Sequence, residues 1–120
     1  MKYENQFSDE INVISGCFQG GVLSPTFFNV YIADINKNIN NHLFAFADDL
    51  LLMRVIKDQS DNYVLQTDLD HTFEFCVENS LKLNPEKCTK MKITFKSIQK
   101  FDYHLNEITV REVFNQKYLE

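Results

Sequence analysis

The stretch FAFADDLLLM, residues 44–53, constrains this chain more than any other. Two adjacent carboxylates, Asp48 and Asp49, interrupt an apolar run that otherwise extends from Leu43 to Met53. An ionised carboxylate buried without a partner is costly, so the pair belongs at a rim, with an apolar strand on either side. The simplest arrangement is a hairpin over 43–54 turning at Asp48-Asp49, with 47 opposite 50, 46 opposite 51, 45 opposite 52 and 44 opposite 53. Phe44, Phe46, Leu51 and Met53 then share one face, and Leu43, Ala45, Ala47, Leu50 and Leu52 the other. Both faces are apolar, which predicts an interior hairpin. Two-residue hairpin turns favour Asn-Gly or Asp-Gly because their central residues need positive φ, so Asp-Asp is a poor choice on turn grounds alone. Two readings stay open: a solvated acidic turn, or a site for a hard divalent cation. Mg²⁺ uses one or two carboxylates with substrate phosphates and water, and such ions stabilise the attacking and leaving oxygens of phosphoryl transfer.

Around this hairpin the pattern is mixed. Residues 11–15, INVIS, predict a short strand, and GCFQGG (16–21) holds all 3 glycines of the chain. Concentrated there, they mark a loop with unusual dihedrals or a close approach to another group. Ser24-Pro25 is a helix start; Phe28, Tyr31, Ile32, Ile35 and Ile39 follow at helical spacing, which predicts a helix over 24–38. A second helix is expected over 61–80, with Leu65, Leu69, Thr72, Phe73 and Cys76 buried and Asp68, Asp70, Glu74 and Glu78 elsewhere. LKLNPEK (81–87) is a turn region, since Asn-Pro discourages helix; KMKITF (90–95) predicts a strand, and DYHL, EITV and QKYL short β segments. The order strand, helix, hairpin, helix, strand predicts an α+β fold, a partial sandwich with helices on one face of a largely antiparallel sheet. Residues 1–10 form a polar N-terminal segment and 11–120 the domain.

Composition narrows the function classes. The 120 residues suit one small domain, and the net charge of −5 argues against a free-standing nucleic-acid binder, which usually carries a basic excess. Contact with nucleic acid would need metal ions or basic parts outside this segment. No apolar run approaches the roughly 20 residues of a membrane helix, so no membrane partner is expected. The opening MKYENQFSDE is no signal peptide, and Cys17, Cys76 and Cys88 are expected as reduced thiols in an intracellular protein, nuclear or cytoplasmic. No Cys/His spacing suggests zinc.

Taken together, FADD at 46–49, the preceding GCFQGGVLSPTFFNVYIADI and the following LQTDLDHTFEFCVENSLKLNPEKCTKMKITF resemble the palm of reverse transcriptases, RNA-directed DNA polymerases, and among them the non-LTR, LINE-type retrotransposon enzymes. Gln19, Gly20, Leu23, Ser24, Pro25, Phe28 and Asn29 fit the family's loop and helix; Cys17 and Phe18 depart from it, and Phe75 stands where tryptophan is common. The resemblance implies Asp48 as a ligand of Mg²⁺ or Mn²⁺, Asp49 as a second, less direct carboxylate, and Lys87 as a proton donor to departing pyrophosphate, or simply a surface charge. It implies that Gln19 and Gly20 line the pocket for template and incoming nucleotide, that Phe46 packs under the hairpin, and that small Ala47 lets the primer terminus approach. The partners it implies are an RNA template, a DNA primer and a deoxynucleoside triphosphate.

The family's metal site also uses an aspartate on a strand well upstream of the glycine-rich loop. Only 15 residues precede Gly16, and Asp9 stands too close to it to fill that role. Fingers, thumb and that first palm strand are therefore expected to lie outside this segment, leaving a polymerase fragment that is inactive alone. A hairpin without its neighbouring strand leaves unpaired backbone groups and apolar surface uncovered, so the isolated chain is expected to be marginally stable or prone to aggregate. Two alternatives are a non-catalytic palm remnant that binds protein or nucleic acid, and a different nucleotidyl-transfer or cyclase domain on the same sandwich. The Gln-Gly loop and the Leu-Asn-x-x-Lys turn argue against the last.

Overall fold

A computed structural model describes residues 2–3, 6–7, 16, 20–94 and 100–114. The chain divides into two compact units, Met1–Ile32 and Ala33–Glu120. The expected strand at 11–15, Gln19 and the QKYL segment lie outside the described residues.

In the first unit, β1 (Lys2–Tyr3) pairs antiparallel with β2 (Gln6–Phe7). Gly16 and Gly20 take φ of +92° and +81°, a region costly for other residues, which is the use expected of that glycine cluster. Helix α1 spans Ser24–Ile32. Phe27 N–H donates to Leu23 O at 3.0 Å, so Ser24 and Pro25 are the first two helical residues rather than cap and first residue. Proline fits there because the opening N–H groups have no helical acceptor.

The second unit begins with a 3₁₀ helix, Ala33–Asn38. The helix expected over 24–38 is thus α-helical only to Ile32. Asp and Asn side chains in ADINKN compete for backbone bonds and disfavour α-helix, and the tighter winding is a common way for such a segment to end. The hairpin follows, β3 (His42–Phe46) and β4 (Asp49–Met53). Helix α2 spans Gln59–Glu78, starting and stopping two residues earlier than expected. Its start is fixed by a capping box between Asp58 and Asp61. Its end is a Schellman turn: Ser80 takes φ +55°, Leu81 N–H donates to Cys76 O at 2.8 Å and Ser80 N–H to Val77 O at 3.1 Å. A 3₁₀ turn, Pro85–Lys87, leads to β5 (Thr89–Met91), then β6 (His104–Leu105), β7 (Ile108–Thr109) and β8 (Arg111–Val113).

The fold class is α+β, but the expected continuous sheet is not seen among the described residues. Strands form two-stranded pairs only: β3 with β4 and β6 with β7 antiparallel, β5 with β8 parallel. One reason is local. The outer backbone of β6 is met by a side chain instead of a strand: Gln66 Nε2 donates to His104 O at 2.8 Å, and His104 N–H donates to Gln66 Oε1 at 2.9 Å. The buried apolar residues of this unit are Ile35, Cys76, Leu105 and Val110. Burial pushes the Cys76 thiol pKa up, as suits an inert core cysteine. Lys90 ties the C-terminal strands together: its ammonium donates to Phe101 O at 2.7 Å and lies 3.3 Å from Asp102 and 3.6 Å from Glu112. That ammonium holds the Asp102 carboxyl below its ordinary range. Tyr103 O–H donates to Asn62 Oδ1 at 2.7 Å, which fixes the same segment on α2.

The buried stripe of α2 differs from the expected one. Thr72 and Cys76 are buried as anticipated, and Leu65, Leu69 and Phe73 are half-buried. Asn62 and Asp68 are buried too, and Asp68, expected on the polar side, is 0% exposed. No helix among the described residues is long and apolar enough to cross a membrane.

Candidate nucleotidyl-transfer hairpin

The hairpin exists, with its turn moved by one residue. The ladder pairs Phe46 with Asp49, Ala45 with Leu50, Phe44 with Leu51, Leu43 with Leu52 and His42 with Met53. Ala47 and Asp48 are therefore the two turn residues, and Asp49 is the first residue of β4, not half of the turn. Ala47 takes φ +50°, the left-handed conformation usually given to glycine at the first position of such a turn.

Face membership is unchanged, since each residue's partner moves by two and side chains alternate with period two. Asp49 joins His42, Phe44, Phe46, Leu51 and Met53 on one face. The expectation of an interior hairpin fails for that face: Phe44 is 52% exposed, Phe46 66%, Leu51 38% and Met53 48%. Phe46 therefore does not pack beneath the hairpin. Leu43, Leu50 and Leu52 on the other face are half-buried. A two-stranded ribbon has two apolar faces to cover, and the described residues cover only one.

Asp48 and Asp49 are both exposed. Among the described residues neither carboxylate has a hydrogen-bond or ion-pair partner. Two hard oxygen donors on consecutive residues at a rim fit a divalent cation such as Mg²⁺, which takes few protein carboxylates and keeps phosphate and water oxygens. The tip supplies part of a ligand set and no more, for no group of three or more His, Cys, Asp or Glu able to hold a metal occurs among the described residues.

The other residues expected at the site are placed as follows. Gly20 is exposed in the first unit, and a Cβ there would meet nothing within 4 Å. Lys87 is exposed at the end of its 3₁₀ turn, where its N–H donates to Asn84 O at 3.1 Å. Among the described residues of the second unit, a cleft of about 250 Å³ lies at the stem of the hairpin beside Asn41, Arg54 and Asp61, at the opposite end from the two aspartates. The Arg54 guanidinium that lines it is already engaged by Asn41 and Asp61.

Residues that sequence reasoning passed over hold the stem. Asp68 accepts from Asn40 N–H at 2.9 Å, Asn40 Nδ2 at 3.1 Å, Asn41 N–H at 2.8 Å and Asn41 Nδ2 at 2.5 Å. Arg54, just past β4, donates through Nη1 to Asn41 Oδ1 at 2.6 Å and through Nε and Nη2 to Asp61 Oδ1 at 3.0 and 2.6 Å. The Lys57 N–H, first, and the Arg54 guanidinium, second, hold the Asp61 carboxyl below its ordinary 3.8. The available signal was phase: Asp68 stands at helical spacing between Leu65 and Thr72, and a polar residue in an apolar stripe is a buried polar residue.

The model of the family described as reverse transcriptase (RNA-dependent DNA polymerase) matches residues 1–113. Comparisons with curated proteins and with solved structures found no match. With that match running over nearly its whole length, the chain belongs to the reverse transcriptase (RNA-dependent DNA polymerase) family.

Proposed function

We propose that this chain is the palm portion of a reverse transcriptase, of the non-LTR retrotransposon type, and that Asp48 and Asp49 are its contribution to the catalytic metal site. The observation that carries the reading is the hairpin tip: two exposed carboxylates without a partner among the described residues, held on a short two-stranded ribbon. A bound Mg²⁺ or Mn²⁺ supplies charge stabilisation to the attacking primer oxygen and the departing pyrophosphate. Asp48, in the turn, serves as the principal ligand, with Asp49, the first residue of β4, beside it. Ala47 leaves room at the tip for the primer terminus, since its side chain is a single methyl. Gln19 and Gly20 serve template and nucleotide, and Lys87 offers a proton to pyrophosphate.

In this reading the remaining oxygen ligands come from the nucleotide, from water and from a further carboxylate, and the chain alone does not polymerise. Primer extension on a homopolymer RNA template with Mg²⁺ or Mn²⁺ tests it. The expected result is no incorporation by the 120 residues, and incorporation once they are joined to the upstream segment of a complete polymerase, lost again with Asp48→Asn. Extension by that complete polymerase at an undiminished rate with Asp48→Asn would overturn the assignment.

A further inference from the structure

The stem of the hairpin carries a polar assembly out of proportion to a simple strand connection. Its members form one continuous chain of hydrogen bonds: Asp68 to Asn40 and Asn41, Asn41 to Arg54, and Arg54 to Asp61. Asn41 immediately precedes β3 and Arg54 immediately follows β4, so the Asn41–Arg54 bond stitches the two strands at their open end. Asp61 and Asp68 both belong to α2, separated by about 10 Å of helix rise. The ribbon is therefore fixed to the helix at two points, which sets its pitch as well as its position. The lower point is buried: Asp68 is 0% exposed, and its oxygens accept from the two asparagines, three bonds at Oδ2 and one at Oδ1. A carboxylate suits this place because it accepts only, and four N–H groups converge on it.

We infer that Asp68, with Asn41 and Arg54, is a positioning device that holds the Asp48–Asp49 tip at a fixed angle to α2. The inference rests on the functional reading of that tip. Five ladder residues separate stem from tip, about 17 Å of strand rise, so a tilt of about 10° at the stem displaces the aspartates by about 3 Å. Misplacement of reacting groups by about 1 Å is enough to slow a reaction by about 100-fold. The ribbon has no other strand beside it among the described residues, so its orientation rests on the stem and on the packing of its half-buried Leu43, Leu50 and Leu52 face.

The test uses amide hydrogen exchange and residual dipolar couplings on the 120-residue chain, comparing wild type, Asp68→Asn, Arg54→Lys and Leu105→Ala. Asp68→Asn keeps the size but replaces one carboxylate oxygen with an N–H₂ group, which must face at least one of the four converging donors. Arg54→Lys keeps the charge but loses the fork, and is the milder variant should the first not fold. Leu105→Ala weakens the core without removing any member of the hydrogen-bonded stem. In wild type, the hairpin and α2 fit a single rigid alignment. In Asp68→Asn, or in Arg54→Lys, hairpin amides lose protection by about tenfold more than amides in the second half of α2, and the two elements no longer fit one alignment. Leu105→Ala lowers protection without separating the alignments. The inference is overturned if the stem variants lower protection uniformly as Leu105→Ala does, or if hairpin and α2 share one alignment in every variant. Neither readout involves a metal, so failure here is distinct from failure of the tip to bind one, which Asp48→Asn in primer extension reports.

Discussion

The two ends of one hairpin hold aspartates in opposite states. At the stem, Asp68 is fully buried and accepts four hydrogen bonds from Asn40 and Asn41. At the tip, Asp48 and Asp49 are exposed and have no partner among the described residues. A carboxylate whose lone pairs are taken by the protein is committed to structure. A carboxylate left bare beside a like charge has its binding capacity directed outward. The chain thus separates a hydrogen-bonded aspartate from two bare ones by the length of one strand.

Replacement by alanine breaks this comparison most sharply. Asp68→Ala leaves converging N–H groups without an acceptor and is expected to cost about 2–3 kcal/mol, read as a lowered midpoint in urea unfolding. A loss no larger than that of an exposed aspartate would mean the stem is not held as described. The Arg54–Asp61 joint gives a smaller, pH-dependent effect. The Asp61 carboxyl sits below its ordinary 3.8 when folded, so its stabilisation is fully present above that value and is lost as pH falls through the folded pKa. The gap in melting temperature between wild type and Asp61→Asn should hold steady from neutral pH down to about 5 and close below about 4. A gap that persists into acid contradicts the joint.

The tip shows effects of the other sign. Ala47 pays for its φ of +50°, so Ala47→Gly should stabilise the chain by about 0.5–1 kcal/mol, measured by the same urea midpoint. Destabilisation would mean the turn is not strained there. Asp48→Asn should change stability least, within about 0.5 kcal/mol, while abolishing extension in a complete polymerase. That pairing of unchanged fold with lost activity is what sets Asp48 apart from Asp68.

Much of this was legible in the sequence. The alternation around Asp48-Asp49 disclosed the hairpin and its two face sets, and the helical spacing disclosed α1 and α2. The register was misjudged because turn preference placed both polar residues at the centre, whereas the fold accepts an alanine at left-handed φ and puts Asp49 into the ladder. The open Phe44–Phe46 face was misjudged because apolar composition shows what could be buried, not whether anything covers it. Asp68 was misjudged because charge was given more weight than phase. Its burial depends on Asn40 and Asn41, 28 and 27 residues away, and a partnership at that distance leaves no local pattern. The continuous sheet was expected from the order of elements, but order does not reveal that β5 pairs with β8, or that Gln66 takes the place of a strand beside β6.

The most direct test of the central claim is Mn²⁺-induced broadening of backbone amide signals in the 120-residue chain. Substoichiometric Mn²⁺ should broaden the amides of Ala47, Asp48, Asp49 and Leu50 first, excess Mg²⁺ should restore them, and the Asp48→Asn, Asp49→Asn double variant should show no such effect. Broadening centred elsewhere, or unchanged in the double variant, would contradict the assignment of the hairpin tip as the metal-binding end of this reverse transcriptase family member.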